Sequence, residues 1–316
     1  MAKAAITTVR TIVRRIELAG DGIKHLTLED PDGWELPPAR AGSHIDISLP
    51  GGLLRTYSLC NGPWRQTRYE IAVKREAAGR GGSALLHDAV AVGDVLGVSL
   101  PRGGLSLPAA TRQIFVAGGI GVTPFLSAAD ELRHRGDGNF VLHMIARGRP
   151  PLARQLEPLE RDGLVVRHDT SQGRPDIATL IGRPRPNVLV SCCGPAGMLD
   201  AFERAAADWP VGQVHVERFV PPPLVVDPNA RPYTLVLARS GRSFDVPVGM
   251  SMIDAIAECG VEVPTSCGGG ICGACKVRML EGQVLHHDRF LSPAEREHNL
   301  MACVAGCAGG RLVLDL

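Results

Sequence analysis

The 316-residue sequence has no apolar run approaching the roughly 20 residues that span a bilayer as a helix, so an integral membrane protein is not expected. It also lacks an excess of charge. A formal net charge of +1 supplies no basic field for nucleic acid, no polybasic membrane anchor and no acidic tail. An export signal is not expected, since Met1-Ala2-Lys3-Ala4-Ala5 leads straight into Ile6-Thr7-Thr8-Val9-Arg10, with neither a long apolar core nor a cleavage site. A disulfide framework is therefore not expected, and a reducing, cytoplasmic setting is. No internal repeat is visible. The expected partners are small molecules and proteins, not nucleic acid or membrane.

What is present fits several ordered domains, because 45% apolar residues and 37 glycines in a chain of this length exclude general disorder. Cys267, Cys272 and Cys275 are separated by four and then two residues, and Cys303 follows after twenty-seven more. This is the ligand spacing of a plant-type [2Fe-2S] centre. The run Cys267-Gly268-Gly269-Gly270-Ile271-Cys272-Gly273-Ala274-Cys275 also suits it, since glycine allows backbone N–H groups to approach sulfur. Structural zinc usually pairs two Cys-x2-4-Cys knuckles, and Cys303 has no such partner. A catalytic cysteine would account for one thiol and not four. Cys307 is a rival fourth ligand, but Leu300-Met301-Ala302-Cys303 matches the ferredoxin pattern better. Cys60, Cys192 and Cys259 read as small buried hydrophobes.

Composition breaks divide the rest. Five prolines in the thirteen residues 220–232 predict an extended connector ahead of the cysteine-bearing part. Near Leu107-Pro108-Ala109-Ala110-Thr111, turn-linked strands give way to strands alternating with helices. The expected domains are 1–108, 109–222 and 232–316, with a linker at 223–231.

In the first domain, alternating apolar residues separated by glycine-rich turns predict an antiparallel barrel. Arg55-Thr56-Tyr57-Ser58-Leu59 alternates as a strand there, and taken alone it is compatible with an ordinary edge strand. Gly79-Arg80-Gly81-Gly82-Ser83 precedes a short helix expected from Ser83. Its amides, the Arg80 side chain and the Ser83 hydroxyl make a phosphate cradle.

In the second domain, Gln113–Ala117 enters Gly118-Gly119-Ile120-Gly121-Val122-Thr123-Pro124 and then an amphipathic helix. Strand, glycine turn and helix make the order of a dinucleotide site, although a tight turn without ligand has the same pattern. Further buried strands are expected at 139–146, 164–168 and 187–192, the last followed by Cys193-Gly194-Pro195 and a helix over 196–207. Arg147 and Arg149 could meet a 2'-phosphate, a pyrophosphate or water, so the residues leave NADH and NADPH both open. Glu217 is expected as a solvated or capped group.

From Arg231 the chain reads as a β-grasp. Strands are expected at 233–237, 243–246, 278–284 and 311–315, with a helix over 252–258. This part carries 8 basic and 9 acidic residues, so long-range steering of a partner should be modest.

These motifs in this order (Arg-x-Tyr-Ser, Gly-Arg-Gly-Gly-Ser, Gly-Gly-Ile-Gly-Val-Thr-Pro, Cys-Gly-Pro and the ferredoxin cysteines) resemble the phthalate dioxygenase reductase family, which includes vanillate demethylase reductases. The resemblance covers essentially the whole chain. It implies a multi-domain fold: an antiparallel β-barrel flavin domain, an α/β Rossmann-like nucleotide domain and an α+β β-grasp ferredoxin domain. It implies FMN held by Arg55, Thr56, Tyr57 and Ser58, lined by Ala72, Val73 and Lys74, and anchored at its phosphate by Arg80, Gly81, Gly82 and Ser83. Tyr57 would pack on the ring and Ser58 would stand near its reactive edge. No aromatic-bearing extension suited to adenine is apparent, which agrees with FMN over FAD. Gly118, Gly119, Cys193, Gly194 and Pro195 would form the NADH site. Thr123 would reach the flavin, and Phe219, alternatively core filler, would lie against it. Ser58, Thr123 and Cys193 would then be the residues at the reacting atoms, and Cys267, Cys272, Cys275 and Cys303 the cluster ligands.

The expected chemistry follows from electron counting. Nicotinamide gives up two electrons as hydride and a [2Fe-2S] cluster accepts one, so a flavin must hold the pair and release it stepwise. No side chain need act as acid or base in the hydride step; the protein orients and tunes. By the resemblance, the acceptor is a Rieske-type oxygenase component, with a haem monooxygenase as the alternative. A non-catalytic redox-sensing module is the reading from outside enzymology, and the intact Arg55–Ser58 and Gly118–Thr123 elements argue against it.

Overall fold

The computed structural model describes residues 8–77, 79, 81–220 and 230–316. Arg80, and the connector of 223–231 apart from its last two residues, lie outside the described residues. The chain divides into two compact units, Met1–Phe219 and Val220–Leu316.

The first unit opens with β1 (Thr8–Gly20), β2 (Ile23–Glu29), β3 (His44–Leu49), β4 (Leu53–Ser58), β5 (Arg68–Lys74) and β6 (Val95–Ser99), hydrogen-bonded in the order β4-β3-β6-β1-β2-β5. Every pairing is antiparallel, and a bridge between Leu59 and Ile71 brings the two edges together into a barrel. Strand alternation sends Val13, Leu26, Leu28, Ile45, Ile47, Ile71, Val73 and Val98 inward, where all are fully buried. Each stabilises the barrel by roughly 1.5–3 kcal/mol. The short helix α1 (Gly82–Asp88) follows β5 and begins one residue earlier than expected.

The second half of this unit is a parallel sheet of β7 (Arg112–Gly118), β8 (Phe140–Ala146), β9 (Val165–Asp169), β10 (Val188–Cys193) and β11 (Val214–Glu217), ordered β11-β10-β7-β8-β9. Helices α2 (Thr123–His134) and α3 (Ala153–Arg161) cover one face, with Phe115, Ala117, Leu142, Phe125 and Leu156 in a single core. Helices α4 (Ile177–Ile181) and α5 (Ala196–Ala205) cover the other, over Val116, Val190, Cys192 and Phe202. Pro124 starts α2 in its first turn, and Gly136, at φ +72°, follows its end. The expected strands all form, within a residue or two of the expected bounds. Helices α3 and α4 had no clear signature, because Pro158 interrupts the pattern of α3 and α4 is only five residues long.

The second unit is built on β12 (Tyr233–Leu237), β13 (Arg242–Val246), α6 (Met252–Glu258), β14 (Lys276–Glu281), β15 (Val284–Leu285), α7 (Pro293–Arg296), β16 (Asn299–Met301), β17 (Gly306–Cys307) and β18 (Gly310–Leu314). Its main sheet runs β13-β12-β18-β14-β16, with β12 and β18 parallel and the other neighbours antiparallel. Ser251 caps α6 by accepting the Asp254 N–H, and the helix lays Met252, Ala255 and Ile256 on the sheet core. The strand expected over 278–284 is broken. Gly282 turns at φ +120°, where a Cβ would stand 2.8 Å from the Arg311 carbonyl oxygen, and Val284 then pairs with Cys307 in a separate two-stranded ladder. Among the described residues, no helix is long and apolar enough to cross a membrane.

Candidate functional site

On β4, alternation directs the four residues 55–58 to different tasks. Thr56 donates from Oγ1 to Asp46 Oδ1 on the adjoining β3 at 2.6 Å, and Asp46 is held in turn by Arg102 at 2.6 Å. Burial pushes the Tyr57 phenol up to about 12, against the opposing pull of Arg55, so it remains a neutral donor at physiological pH. Arg55 lies against the start of α1: a Cβ on Gly82 would meet its Nε at 2.7 Å. Gly81 occupies the helix N-cap at φ +81°, a conformation that favours glycine. Ser83 accepts the Glu76 N–H at 3.1 Å, and Lys74 pairs with Glu76 at 2.7 Å. Ala72 and Val73 are buried on β5. The guanidinium of Arg55, the hydroxyl of Ser83 and the backbone amides of Gly81, open to its surroundings, and Gly82, close against Arg55, form a donor set that fits a phosphate monoester. FMN presents one.

The parallel sheet contributes a second surface at the C-terminal ends of β7 and β10, the edge where such folds take ligands. Glycine sets its shape. A Cβ on Gly121 would stand 2.9 Å from Gly194 N and closer still to the Cys193 carbonyl, and one on Gly194 would stand 3.0 Å from Gly118 Cα. The Gly118–Thr123 and Cys193–Pro195 turns thus pack backbone against backbone, with no room for a side chain between them. Gly119 is at φ +54°, and buried Thr123 donates to the Ile120 carbonyl at 3.1 Å. Cys193 is fully buried; that burial, reinforced by the Glu217 carboxylate, raises its thiol well above the usual range. It is a neutral packing group, not a nucleophile.

Ser58 and the sheet meet directly. Ser58 donates from Oγ to Glu217 Oε1 at 2.9 Å, and Glu217 stands in register beside Cys193 on the adjacent β11. Burial pushes Glu217 up to about 7, which the Ser58 hydroxyl partly opposes. The expectation of a solvated or capped carboxylate is therefore corrected: Glu217 joins the barrel to the nucleotide sheet. The signal that could have found it is its place at the end of the last parallel strand, but only the strand register reveals Cys193 as its neighbour. Phe219, two residues on, is 40% exposed. Asp46, behind Thr56, also escaped the sequence reading. Exposed Arg147 and Arg149 follow β8 and border a cleft of about 420 Å³, together with Glu17, Asp21 and the buried His25.

In the second unit, Cys267, Cys272, Cys275 and Cys303 are all buried. Cys267 makes side-chain hydrogen bonds with Cys272 and Cys303, and Cys303 with Cys275, so the four thiols form one chain of contacts. Backbone amides already address sulfur: Gly269 N–H donates to Cys267 Sγ at 3.3 Å and Cys303 N–H to Cys275 Sγ at 3.4 Å. Four soft donors, amides turned onto sulfur and three positive-φ glycines, Gly268, Gly270 and Gly273, fit an iron–sulfur cluster. Cys307 is elsewhere, on β17, where its thiol donates to the Gly309 carbonyl at 3.3 Å.

Residues 235–307 match the family model of the 2Fe-2S iron-sulfur cluster binding domain. Over 301 residues the chain is 39% identical to the phthalate dioxygenase reductase of Burkholderia cepacia, covering 92% of this chain and 91% of that protein. It is also similar to two solved structures. One is phthalate dioxygenase reductase, described as a modular structure for electron transfer from pyridine nucleotides to [2Fe-2S], at 36% identity and TM-score 0.70 over 98% of both chains. The other is an intact type IV self-sufficient cytochrome P450 monooxygenase, at 35% identity and TM-score 0.88, matched over 98% of this chain and 41% of that one.

Proposed function

This chain belongs to the phthalate dioxygenase reductase family, and on that premise we propose an electron path through its residues from NADH to an oxygenase. It is an NADH-dependent oxidoreductase that passes electrons by way of FMN and a [2Fe-2S] cluster to the oxygenase component of its system. The flavin converts a two-electron donor into single electrons that the cluster can carry. The observation that carries the reading is the meeting of four buried cysteines in the unit that follows a Ser58–Glu217 dinucleotide site.

We assign FMN binding to Arg55, Thr56, Tyr57, Ser58, Ala72, Val73, Lys74, Gly81, Gly82 and Ser83, with Arg80 from the same loop and Phe219 against the ring. Arg55 and the Gly81–Ser83 amides neutralise the phosphate, while Asp46 and Arg102 hold Thr56, and so β4, in place. Gly118, Gly119, Thr123, Cys193, Gly194 and Pro195 receive the nicotinamide end of NADH. Their close-packed backbones fix the approach, and holding reactants in position lowers the barrier to hydride transfer. Ser58 and Glu217 offer a proton-bearing pair beside that approach. Cys267, Cys272, Cys275 and Cys303 hold the cluster. The working domains are 1–108, 109–222 and 232–316, joined across 223–231, and the cytoplasm is the compartment, since thiolate ligands require reducing conditions.

The oxygenase is read as a Rieske-type component acting on an aromatic or other small acid, supported by the Burkholderia cepacia relative, whose name couples it to a phthalate dioxygenase. A haem monooxygenase is the second reading, favoured by the similarity to the cytochrome P450 chain. The test is anaerobic titration of the holoprotein with NADH, then addition of a purified Rieske oxygenase or a haem monooxygenase. Flavin and cluster bands bleach together, and the Rieske partner reoxidises them faster. Bleaching that stops at the flavin would overturn the relay, and faster reoxidation by the haem protein would overturn the choice of partner.

A further inference from the structure

Among its described residues, the second unit buries a single charged side chain, Asp288, 4% exposed. A carboxylate withdrawn from water costs several kcal/mol unless donors surround it, so such a group persists where it is needed. Its donors come from two directions. Oδ2 accepts the N–H groups of Phe290 at 3.2 Å and Leu291 at 2.8 Å. Arg296 Nη2 lies 3.4 Å from the same oxygen and donates to the Asp288 carbonyl at 2.5 Å. His286 Nδ1 stands 3.5 Å from Oδ1 without forming a hydrogen bond, so Oδ1 is left without a donor among the described residues.

The turn so fixed is the outer wall of the cysteine loop. Arg289 N–H donates to the Gly270 carbonyl at 3.0 Å. A Cβ on Gly270 would stand 2.9 Å from Asp288 Cα, and one on Gly273 would stand 2.7 Å from Phe290 Cε1. Arg296 leads the other way. It ends α7, whose start is locked by a Ser292–Glu295 capping box, and the chain then runs through β16 to Cys303. Three cluster ligands thus lie on one loop and the fourth beyond α7; the backbone of the Asp288 turn touches the loop at Gly270, and the Asp288 carboxylate ties that turn to Arg296 at the end of α7.

We propose that Asp288 is a positioning residue for the cluster, setting the register between the loop of Cys267, Cys272 and Cys275 and the segment of Cys303. The proposal rests on the reading that these four cysteines hold a [2Fe-2S] cluster. Its charge has a second effect: a buried negative group opposes the added electron of the reduced cluster, and the Arg296 guanidinium favours it.

The test uses the full-length holoprotein as wild type, Asp288→Asn and Arg296→Gln, with exposed Glu281→Gln as control. Two quantities are measured anaerobically, the cluster midpoint potential and the rate of iron loss to a chelator. Both variants lose iron about tenfold faster, equivalent to one lost charge-assisted hydrogen bond, while the control matches wild type. The potential rises in Asp288→Asn and falls in Arg296→Gln, a split in sign that general loosening would not produce. Wild-type iron loss in both variants, or potentials moving the same way, overturns the proposal. Should Asp288→Asn fail to assemble a cluster, Arg296→Gln decides alone by the same two measurements. A wild-type protein without the [2Fe-2S] spectrum would instead overturn the underlying cluster assignment.

Discussion

The cluster loop and the hydride site carry similar chemical weight but are built in opposite ways. Three of the four cluster ligands lie within nine consecutive residues, where turns and amides bring the sulfurs together locally. The proposed hydride site draws Ser58, Thr123, Cys193 and Glu217 from four distant stretches, and its key hydrogen bond joins residues 159 apart. A local site writes its chemistry into its spacing. A dispersed site depends on strand order and register, so it should tolerate less backbone error and respond more to burial.

The strongest way to break this contrast is at the ligands. Cys303→Ser abolishes the cluster bands and electron delivery to the oxygenase, while flavin reduction by NADH in the first unit continues; Cys307→Ser leaves the visible spectrum unchanged. Absorption spectra with stopped-flow flavin reduction check both, and a bleached Cys307→Ser protein would reverse the ligand assignment.

Next in size is Gly121→Ala. Its methyl group would press on the backbone of Cys193 and Gly194 and must displace the nicotinamide turn. A shift of this kind slows flavin reduction by about a hundredfold. It also costs about 1–3 kcal/mol of stability. Stopped-flow kinetics and thermal melts separate the two effects, and the cluster spectrum should stay as in wild type.

The smallest effect concerns a proton. Glu217 titrates at about 7 in the folded chain, above its ordinary value of 4.5. Between those values the folded chain keeps a proton that the unfolded chain releases, so stability is greatest at the acid end and falls as pH rises through the window. The loss is at most about 3 kcal/mol, less where water still reaches the carboxylate. Glu217→Gln should flatten this part of the pH profile in thermal melts of the chain. A profile unchanged by the substitution would show that Glu217 ionises normally.

Legibility followed the same division. The plant-type cysteine spacing, the glycine turn after β7 and the strand pattern of the nucleotide sheet were readable because each is written over a few neighbouring residues. Helix α3 was hidden by Pro158, the 278–284 strand was overextended through Gly282, and Glu217 was taken for a surface group. In each case a tertiary contact outweighed local preference. Helix α3 is held by burial of Leu156 and Leu159, and Gly282 by the close approach of β18.

The sequence by itself determined the cysteine spacing, the order of antiparallel and parallel strands and the glycines that the turns require, because these depend on residue type and short spacing. Only the tertiary structure decided that Ser58 meets Glu217, that Cys193 is a buried wall beside it, and that the Asp288 turn packs against Gly270 while its carboxylate meets Arg296. Those outcomes depend on which distant strands become neighbours and on how far water is excluded from them, and neither quantity exists until the chain has folded.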